Sequence, residues 1–245
     1  MNSAMFEPAS VPDPISGLPI GAEVSDHPAP RPERRVLPGR FVDLVPLDPD
    51  AHGPSLWEDS HGPTKDAIWQ YLFEAPFPDY AAFKAHLERK AASEDPLFYA
   101  IVDKATGRAL GYETLMRIDP ANRVIEVGNV MYGAGLQRTP GATEAQYLLA
   151  RYVFDDLGYR RYEWKCNALN APSRRAADRL GFTFEGLFRQ AVIVRGRNRD
   201  TAWYSMLDSE WPSRKAAFER WLDPANFDAE GRQKKALTKL RSGPA

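Results

Sequence analysis

A loop that runs into a helix is the segment of this sequence best suited to hold a charged ligand. Residues 137–144 read Gln-Arg-Thr-Pro-Gly-Ala-Thr-Glu, so Thr139 suits an N-cap and Pro140 suits the first helical position. The first backbone N–H groups of a helix lack intrahelical partners, and the helix dipole adds about half a positive charge there. Such a turn can bind a pyrophosphate. A capped helix that packs closely through small residues explains the same pattern equally well.

Five residues of this loop make up the candidate anion site. Arg138 and the hydroxyls of Thr139 and Thr143 would add donors to the backbone N–H groups. Gly141 and Ala142 add almost no bulk to the first helical turn, so a phosphate could approach the backbone closely.

A second motif lies about thirty residues further along the chain. Asn170 to Ser173 read Asn-Ala-Pro-Ser, in which Asn170 is a good N-cap, and Leu180-Gly181-Phe182 ends a helix and begins a strand. Alone, this motif predicts no more than a well-capped helix.

The two motifs together are more specific. A strand, a small-residue turn, an amphipathic helix, a second strand and then these residues resemble the acyl-coenzyme A core of the GNAT N-acetyltransferases. The resemblance covers roughly residues 40–210 and is nearest to the ribosomal-protein N-terminal acetyltransferase-like branch. The segments that carry it are Glu126–Gly128, Ala142–Ala145, Asn170–Ser173 and Arg179–Gly186.

The resemblance implies a fold, a co-substrate and a reaction. The fold is α/β, with a mixed, mostly antiparallel sheet flanked by helices on both faces. Acetyl-coenzyme A (acetyl-CoA) would give its acetyl group directly to a primary amine, on a protein or peptide N-terminus or on a small molecule, without a metal. The alternatives are a small-molecule detoxifying acetyltransferase and a CoA-binding sensor without turnover.

The resemblance also assigns cofactor-binding residues. The family's pyrophosphate motif falls on Arg138, Gly141 and Thr143, although the last place holds Thr where the family has Gly or Ala. Backbone groups near Val130 and Met131 would pair with the pantetheine arm, and one of their N–H groups would face the thioester oxygen. Asn170 and Ser173 would line the thioester end.

The reaction requires a base for the amine and a proton donor for the departing thiolate. Glu126 is the leading candidate base, because strand periodicity predicts that it shares a face with Gly128, Val130 and Tyr132. A solvated or paired strand glutamate is the alternative, and Glu113 is a rival base. Ser173 is the candidate thiolate donor, unless it serves only to cap a helix.

Composition narrows the remaining function classes. The chain has 32 Lys and Arg residues and 33 Asp and Glu residues, which gives a net charge of −1. This balance does not indicate the excess of positive charge that binding to nucleic acid or to an anionic membrane requires. The single cysteine, Cys166, predicts a buried thiol rather than a nucleophile, and the four scattered histidines predict no protein-held metal. We expect a cytoplasmic protein, because no signal peptide or membrane span is visible.

Three regions follow from the chain's composition and periodicity. Residues 1–38 are a proline-rich arm, either flexible or wrapped on the surface, residues 39–212 are the acetyltransferase domain, and residues 213–245 are a C-terminal helix and a basic, solvated tail. Edge strands and the proline-rich arm could each pair with a second copy of the chain, so a homodimer is compatible with the sequence.

Two further clusters have open interpretations. Arg195, Arg197 and Arg199 lie at a hairpin turn, which is either solvated or binds an acidic substrate or partner. Aromatic residues before the second predicted strand either line the acceptor cleft or fill the core: Trp57, Trp69, Tyr71 and Phe73.

Overall fold

Ten strands lie in residues 9–241, the part of the chain that the computed structural model describes. They are β1 Val11–Pro12, β2 Pro19–Ile20, β3 Leu37–Pro38, β4 Val42–Pro46, β5 Leu97–Asp103, β6 Ala109–Asp119, β7 Val124–Tyr132, β8 Arg161–Asn167, β9 Thr183–Val194 and β10 Arg197–Leu207. Strands β1 and β2 form a small hairpin of their own. The others form one sheet in the order β3-β4-β5-β6-β7-β8-β10-β9, in which only the β7–β8 pair is parallel. The predicted mixed, mostly antiparallel sheet is confirmed.

Helices cover both faces of this sheet, as predicted. Within residues 9–241 the α-helices are α1 Pro49–Ser60, α2 Tyr80–Ala92, α3 Pro140–Arg151, α4 Ala171–Leu180, α5 Trp211–Leu222 and α6 Leu237–Arg241. Helices α1 and α2 cover the first face, where the buried apolar residues include Leu56, Phe83, Leu87, Tyr112 and Met131. Helices α3, α4 and α5 cover the second face, where they include Ile125, Val127, Leu149, Ala177 and Phe218.

The arm lies along the domain between residues 25 and 38. Ala29 donates its N–H to the Pro120 carbonyl oxygen at 3.0 Å, and Glu33 donates its N–H to the Tyr152 hydroxyl at 2.8 Å. Leu37 is buried, and β3 joins the edge of the main sheet. The surface-wrapping alternative therefore describes this part of the arm, whereas residues 1–8 lie outside the described residues.

The basic C-terminal segment packs on the domain instead of projecting into solvent. Leu237 is 1% exposed in the second-face core, and the Arg241 guanidinium donates to the Asp178 carbonyl oxygen of α4 at 2.9 Å. Leu237 and Leu240 recur at helical spacing, which gives the short helix α6 an apolar side. The expectation of a solvated tail is wrong for residues 237–241, and residues 242–245 lie outside the described part.

Candidate active site

The site forms where two parallel strands diverge. β7 and β8 pair from Val124 and Arg161 as far as Val127 and Trp164, and the pairing stops there. Beyond this point a cleft of about 310 Å³ opens between the strands. Both Glu126 and Ser173 line it. The fork therefore joins the first face of the sheet to the second.

A bulge in β7 fixes the direction of the side chains at this fork. Asn129 has a φ of 48°, and the register with β6 shifts between the Gly128 and Met131 pairs. The Thr114 hydroxyl donates to the Gly128 carbonyl oxygen at 3.0 Å and accepts from the Asn129 side-chain amide at 3.3 Å. A buried threonine thus holds the bulge in place.

The bulge also corrects one prediction. Glu126, Gly128 and Val130 all line the cleft, but Val130 and Tyr132 pack on the second-face core and Met131 packs on the first-face core. Simple alternation had placed Val130 and Tyr132 on the face of Glu126. That expectation is wrong because the extra residue of a bulge reverses the order of the faces.

Glu126 is a buried carboxylate between two cations. Its Oε2 atom lies 2.9 Å from Lys165 Nζ and 3.5 Å from Arg117 Nε, and the residue is 4% exposed. Burial raises the pKa of Glu126 above its ordinary value, whereas the charges of Lys165 and Arg117 oppose that rise. A carboxyl with a raised pKa is better matched to accepting a proton near neutral pH than an ordinary one.

Ser173 lies on the other lip of the cleft, at the start of α4. Its Oγ accepts a hydrogen bond from Trp164 Nε1 at 3.0 Å. Its hydroxyl also lies close to the Cys166 thiol and opposes the rise of that thiol's pKa through hydrogen bonding. Asn170 caps the helix, because its Oδ1 accepts the backbone N–H of Ser173 at 3.1 Å. The capping function therefore belongs to the Asn170 side chain and not to the Ser173 hydroxyl.

Cys166 has the environment of a structural thiol. It is 5% exposed, and burial raises its pKa, so the nucleophilic thiolate is disfavoured. The free cysteine lines the cleft without a histidine among the residues that surround it.

The loop before α3 leaves backbone donors unpaired. Thr139 caps the helix, and its Oγ1 accepts the Ala142 N–H at 3.2 Å. The N–H groups of Arg138 and Gly141 have no hydrogen-bond partner among the described residues. Arg138 has a φ of 64° and an exposed side chain. Two free donors and a guanidinium at a helix N-terminus fit a pyrophosphate.

Gly141 and Thr143 also serve the packing of α3. A Cβ atom on Gly141 would lie 2.7 Å from Cγ1 of Val42, so glycine permits the close contact between α3 and β4. The Glu144 carboxylate reinforces that contact by accepting the Val42 N–H at 2.9 Å. The Thr143 hydroxyl is buried and accepts from Arg179 of α4 at 3.0 Å, so its side chain belongs to helix packing.

The rival base Glu113 does not reach the cleft. It is fully buried, and its Oε2 accepts from the Tyr132 hydroxyl at 2.6 Å and from the Gln146 side-chain amide at 2.5 Å. Burial raises the pKa of Glu113 to about 8. Glu113 therefore belongs to a buried polar cluster beneath the site and does not line the cleft.

Sequence reasoning missed the cationic wall of the cleft. Lys165 and Arg199 both line it, and Lys165 Nζ lies 3.8 Å from the centre of the Trp203 ring. A solvated turn describes Arg195 and Arg197, which are exposed, although Arg195 donates to the Gln70 carbonyl oxygen at 2.9 Å. It is the wrong description of Arg199, which is 9% exposed. Lys165 and Arg199 are therefore cations of this wall. Alternation along β8 and β10 places these cations on the face of Glu126, but only once the pairing of the strands is known.

The aromatic residues divide between core and cleft. Tyr71 and Phe73 line the cleft, whereas Trp69 is fully buried and donates its Nε1–H to the Ser60 carbonyl oxygen at 2.8 Å. Trp57 packs partly buried against the same core.

Residues 9–241 show neither a metal-binding cluster nor a membrane-spanning helix. That part of the chain holds no group of three or more His, Cys, Asp or Glu side chains placed to bind a metal ion. It also holds no helix of the length and apolarity needed to cross a membrane.

Comparison with known proteins agrees with this geometry. A protein-family model described as "Acetyltransferase (GNAT) domain" matches residues 47–183. The Bacillus subtilis (strain 168) protein named "Putative ribosomal N-acetyltransferase YdaF" is 31% identical over 113 residues, which cover 44% of this chain but only 59% of YdaF. The crystal structure of a GCN5-related N-acetyltransferase from Brucella melitensis has a TM-score of 0.86 and 52% identity over 88% of this chain and 97% of that one.

A second solved structure extends the likeness. It is described as "probable acetyltransferases (GNAT family)" from Chromobacterium violaceum ATCC 12472, and it has a TM-score of 0.73 and 39% identity over 84% of this chain and 100% of its own. The predicted family is therefore confirmed, and YdaF supports the predicted ribosomal-protein branch. This chain belongs to the GNAT acetyltransferase family.

Proposed function

We propose that this protein transfers an acetyl group from acetyl-CoA to a primary amine, which belongs to a protein or peptide N-terminus or to a small molecule. The observation that carries the proposal is a single cleft at the β7–β8 fork, lined by Glu126 from the first face and Ser173 from the second. Family membership supports acetyl transfer, and the name of YdaF supports a protein N-terminus as acceptor.

Acetyl-CoA would bind along the second face. The unpaired N–H groups of Arg138 and Gly141, with the Arg138 guanidinium and the α3 dipole, would hold the pyrophosphate. The backbone of β7 beyond its last pair with β8 would hold the pantetheine arm, at Val130 and Met131. Asn170 would lie with Ser173 at the thioester end, where the bound co-substrate presents an activated acetyl group.

Three groups of the chain would then act on the acceptor and the thioester. The Glu126 carboxylate would accept the proton of the amine, directly or through a water, because an ammonium has no lone pair with which to attack. A backbone N–H at Val130 or Met131 would stabilise the negative charge that develops on the thioester oxygen. The Ser173 hydroxyl would donate its proton toward the departing sulfur.

The cellular setting belongs to the same proposal. The one cysteine of the chain, Cys166, is free and buried, which suits a reducing compartment such as the cytoplasm.

Calorimetry and a thiol-release assay test the proposal together. Acetyl-CoA and CoA should both bind, and free thiol should appear only when a primary amine is present. Heat of binding without turnover on any peptide or amine would favour the CoA-binding sensor. No binding of either compound to folded protein would contradict the acyl-transfer assignment altogether.

A further inference from the structure

Arg199 is a buried cation without a partner. Its residue is 9% exposed, its Nε atom is buried without a hydrogen-bond partner, and the guanidinium donates no hydrogen bond to any described residue. Within residues 9–241 no carboxylate forms a salt bridge with it, and its guanidinium carbon lies 4.8 Å from the centre of the Phe73 ring. Burying an unpaired charge costs several kcal/mol unless something compensates it.

The neighbouring cations on the same face are compensated. Lys165 contacts the carboxylates of Glu126 and Glu163, and Arg161 contacts those of Glu163 and Glu185. Arg117 contacts the same Glu126 carboxylate as Lys165 does. These ion pairs leave Arg199 as the surplus positive charge on this wall of the cleft.

Two polar side chains beside Arg199 are also unsatisfied. Alternation along β10 places Arg199, Thr201 and Trp203 on one face, and all three line the cleft. Thr201 Oγ1 and Trp203 Nε1 are buried without hydrogen-bond partners in the described chain. Buried polar groups are rarely left unpaired, because an unpaired buried donor or acceptor destabilises the fold.

Arg199, Thr201 and Trp203 form a row on one face of β10. This row extends from the neighbourhood of the candidate base Glu126 to the unpaired Arg199 cation. Lys165 contacts both Glu126 and the Trp203 ring, so Trp203 is the member of the row nearest to the base. From Trp203 to Arg199 the strand advances four residues, or roughly 13 Å at about 3.3 Å per residue. The two ends of the row are therefore separated by up to roughly 13 Å along the strand.

We propose that the acceptor is an amine that also carries an anionic oxygen group, a carboxylate or a phosphate, and that Arg199 binds this group while the amine lies at Glu126. The inference rests on the proposed acetyl transfer. Arginine binds both anions through two parallel N–H donors. Oxygen atoms along the acceptor would also satisfy Thr201 and Trp203. The spacing suits a di- or tripeptide at about 3.3–3.6 Å per residue.

Matched acceptor pairs test this inference. Ala-Ala-Ala with a free C-terminus is compared with its amide, and Ala-Ala-phosphoserine amide with Ala-Ala-serine amide. At least one anionic member should exceed its neutral partner by about 30-fold or more in kcat/KM, the effect of one buried, hydrogen-bonded charge pair. The first pair reports a carboxylate and the second a phosphate. Equal rates within both pairs would overturn the inference.

Arg199→Met locates the effect. It should abolish the preference for the anionic member, so that the kcat/KM values of the two members of each pair become equal. The matched control is Arg197→Met, two residues away on the exposed turn, which should keep the preference. A preference that survives Arg199→Met would overturn the assignment.

Two readouts do not depend on turnover. Acetyl-CoA should bind Arg199→Met with unchanged affinity, and a loss of that affinity would place Arg199 in the CoA site instead. The N-acetylated forms of both pairs are compared by calorimetry. At least one anionic form should bind the wild-type protein more tightly than its neutral partner, and Arg199→Met should lose that difference. Equal binding within both pairs to the wild type would refute an anion site. If no amine were acetylated but this binding difference held, the proposed function alone would fail.

The melting temperature separates ligand binding from a structural role. Removal of an uncompensated charge should shift the melting temperature of the free protein upward. A clear downward shift would show that Arg199 stabilises the fold and would count against the inference.

Discussion

Lys165 on β8 donates to Glu126 on β7 at the point where the two strands begin to diverge, with Nζ 2.9 Å from Oε2. The same ammonium lies 2.7 Å from Oε2 of Glu163, so one cation holds two carboxylates of which only Glu126 lines the cleft. This arrangement lets the role of Glu126 as base be separated from its role in an ion pair.

Glu126→Gln should lower kcat/KM by about 100-fold, the lower range of general-base effects, because the amide cannot accept the proton. The affinity for acetyl-CoA, measured by calorimetry, should not change, since the proposed CoA contacts lie on the second face. Glu163→Gln is the matched control, because it removes the other carboxylate of Lys165 and keeps the base. Equal losses in both variants would assign Glu126 to the ion pair alone.

The pH profile should respond in opposite directions to the two neighbours of Glu126. The base must be deprotonated, so kcat/KM should fall as the pH falls through its pKa. The negative charge of Glu163 raises that pKa and the positive charge of Lys165 lowers it. The acid limb should therefore move to lower pH in Glu163→Gln and to higher pH in Lys165→Met. An acid limb that stays in place in both variants would exclude Glu126 as the titrating group.

Ser173→Ala should lower kcat by about 100-fold if proton donation to the thiolate limits the rate. Helix α4 should remain intact, because the cap uses the Ser173 backbone N–H and the Asn170 side chain. Trp164→Phe is the control, since it removes the donor to Ser173 Oγ and keeps the hydroxyl. An unchanged kcat in Ser173→Ala, at unchanged melting temperature, would leave the thiolate without this donor.

The sequence predicted the order of the elements and the members of the cleft better than the directions of their side chains. Helix periodicity, caps and turn residues locate α3, α4 and the central strands, because those signals are local. The bulge at Asn129 has no comparable local signal, since it depends on Thr114 of the neighbouring strand. Arg199 could not be assigned to the cleft for the same reason, because its surroundings are set by residues far away in the chain.

Gly141→Ala should destabilise the fold by about 1–3 kcal/mol, because its Cβ would lie 2.7 Å from Val42 Cγ1 in the contact between α3 and β4. The higher helix propensity of alanine offsets about 1 kcal/mol of this loss. A loss of phosphate binding in a variant with a larger side chain at this position would therefore first have to be separated from the loss of packing between α3 and β4.

A double-mutant cycle with Val42→Ala checks the contact. Chemical denaturation should show that Gly141→Ala costs less when Val42 has been truncated, with a coupling energy of about 0.5–3 kcal/mol. Additive losses would mean that α3 moves away from β4 without strain.

Glu113→Gln should change how stability depends on pH. Burial raises the pKa of Glu113 from an ordinary value of 4.5 to about 8, so the folded protein holds a proton that the unfolded chain releases between these values. The free energy of unfolding of the wild type should therefore fall as the pH rises through this range, by at most about 1.4 kcal/mol per pH unit from this group. Glutamine stays neutral and should remove that part of the slope.

Denaturation of both proteins at a series of pH values from 4.5 to 8 measures the difference. Glu185→Gln is the control, because Arg161 holds the pKa of Glu185 below its ordinary value and its contribution changes only at lower pH. The free energy of unfolding of Glu113→Gln, relative to that of the wild type, should rise steadily with pH across this range. The difference in free energy of unfolding between Glu185→Gln and the wild type should stay constant. A constant difference for both variants would mean that Glu113 is ionised in the folded protein, and its Tyr132 and Gln146 partners would then have to stabilise a buried charge.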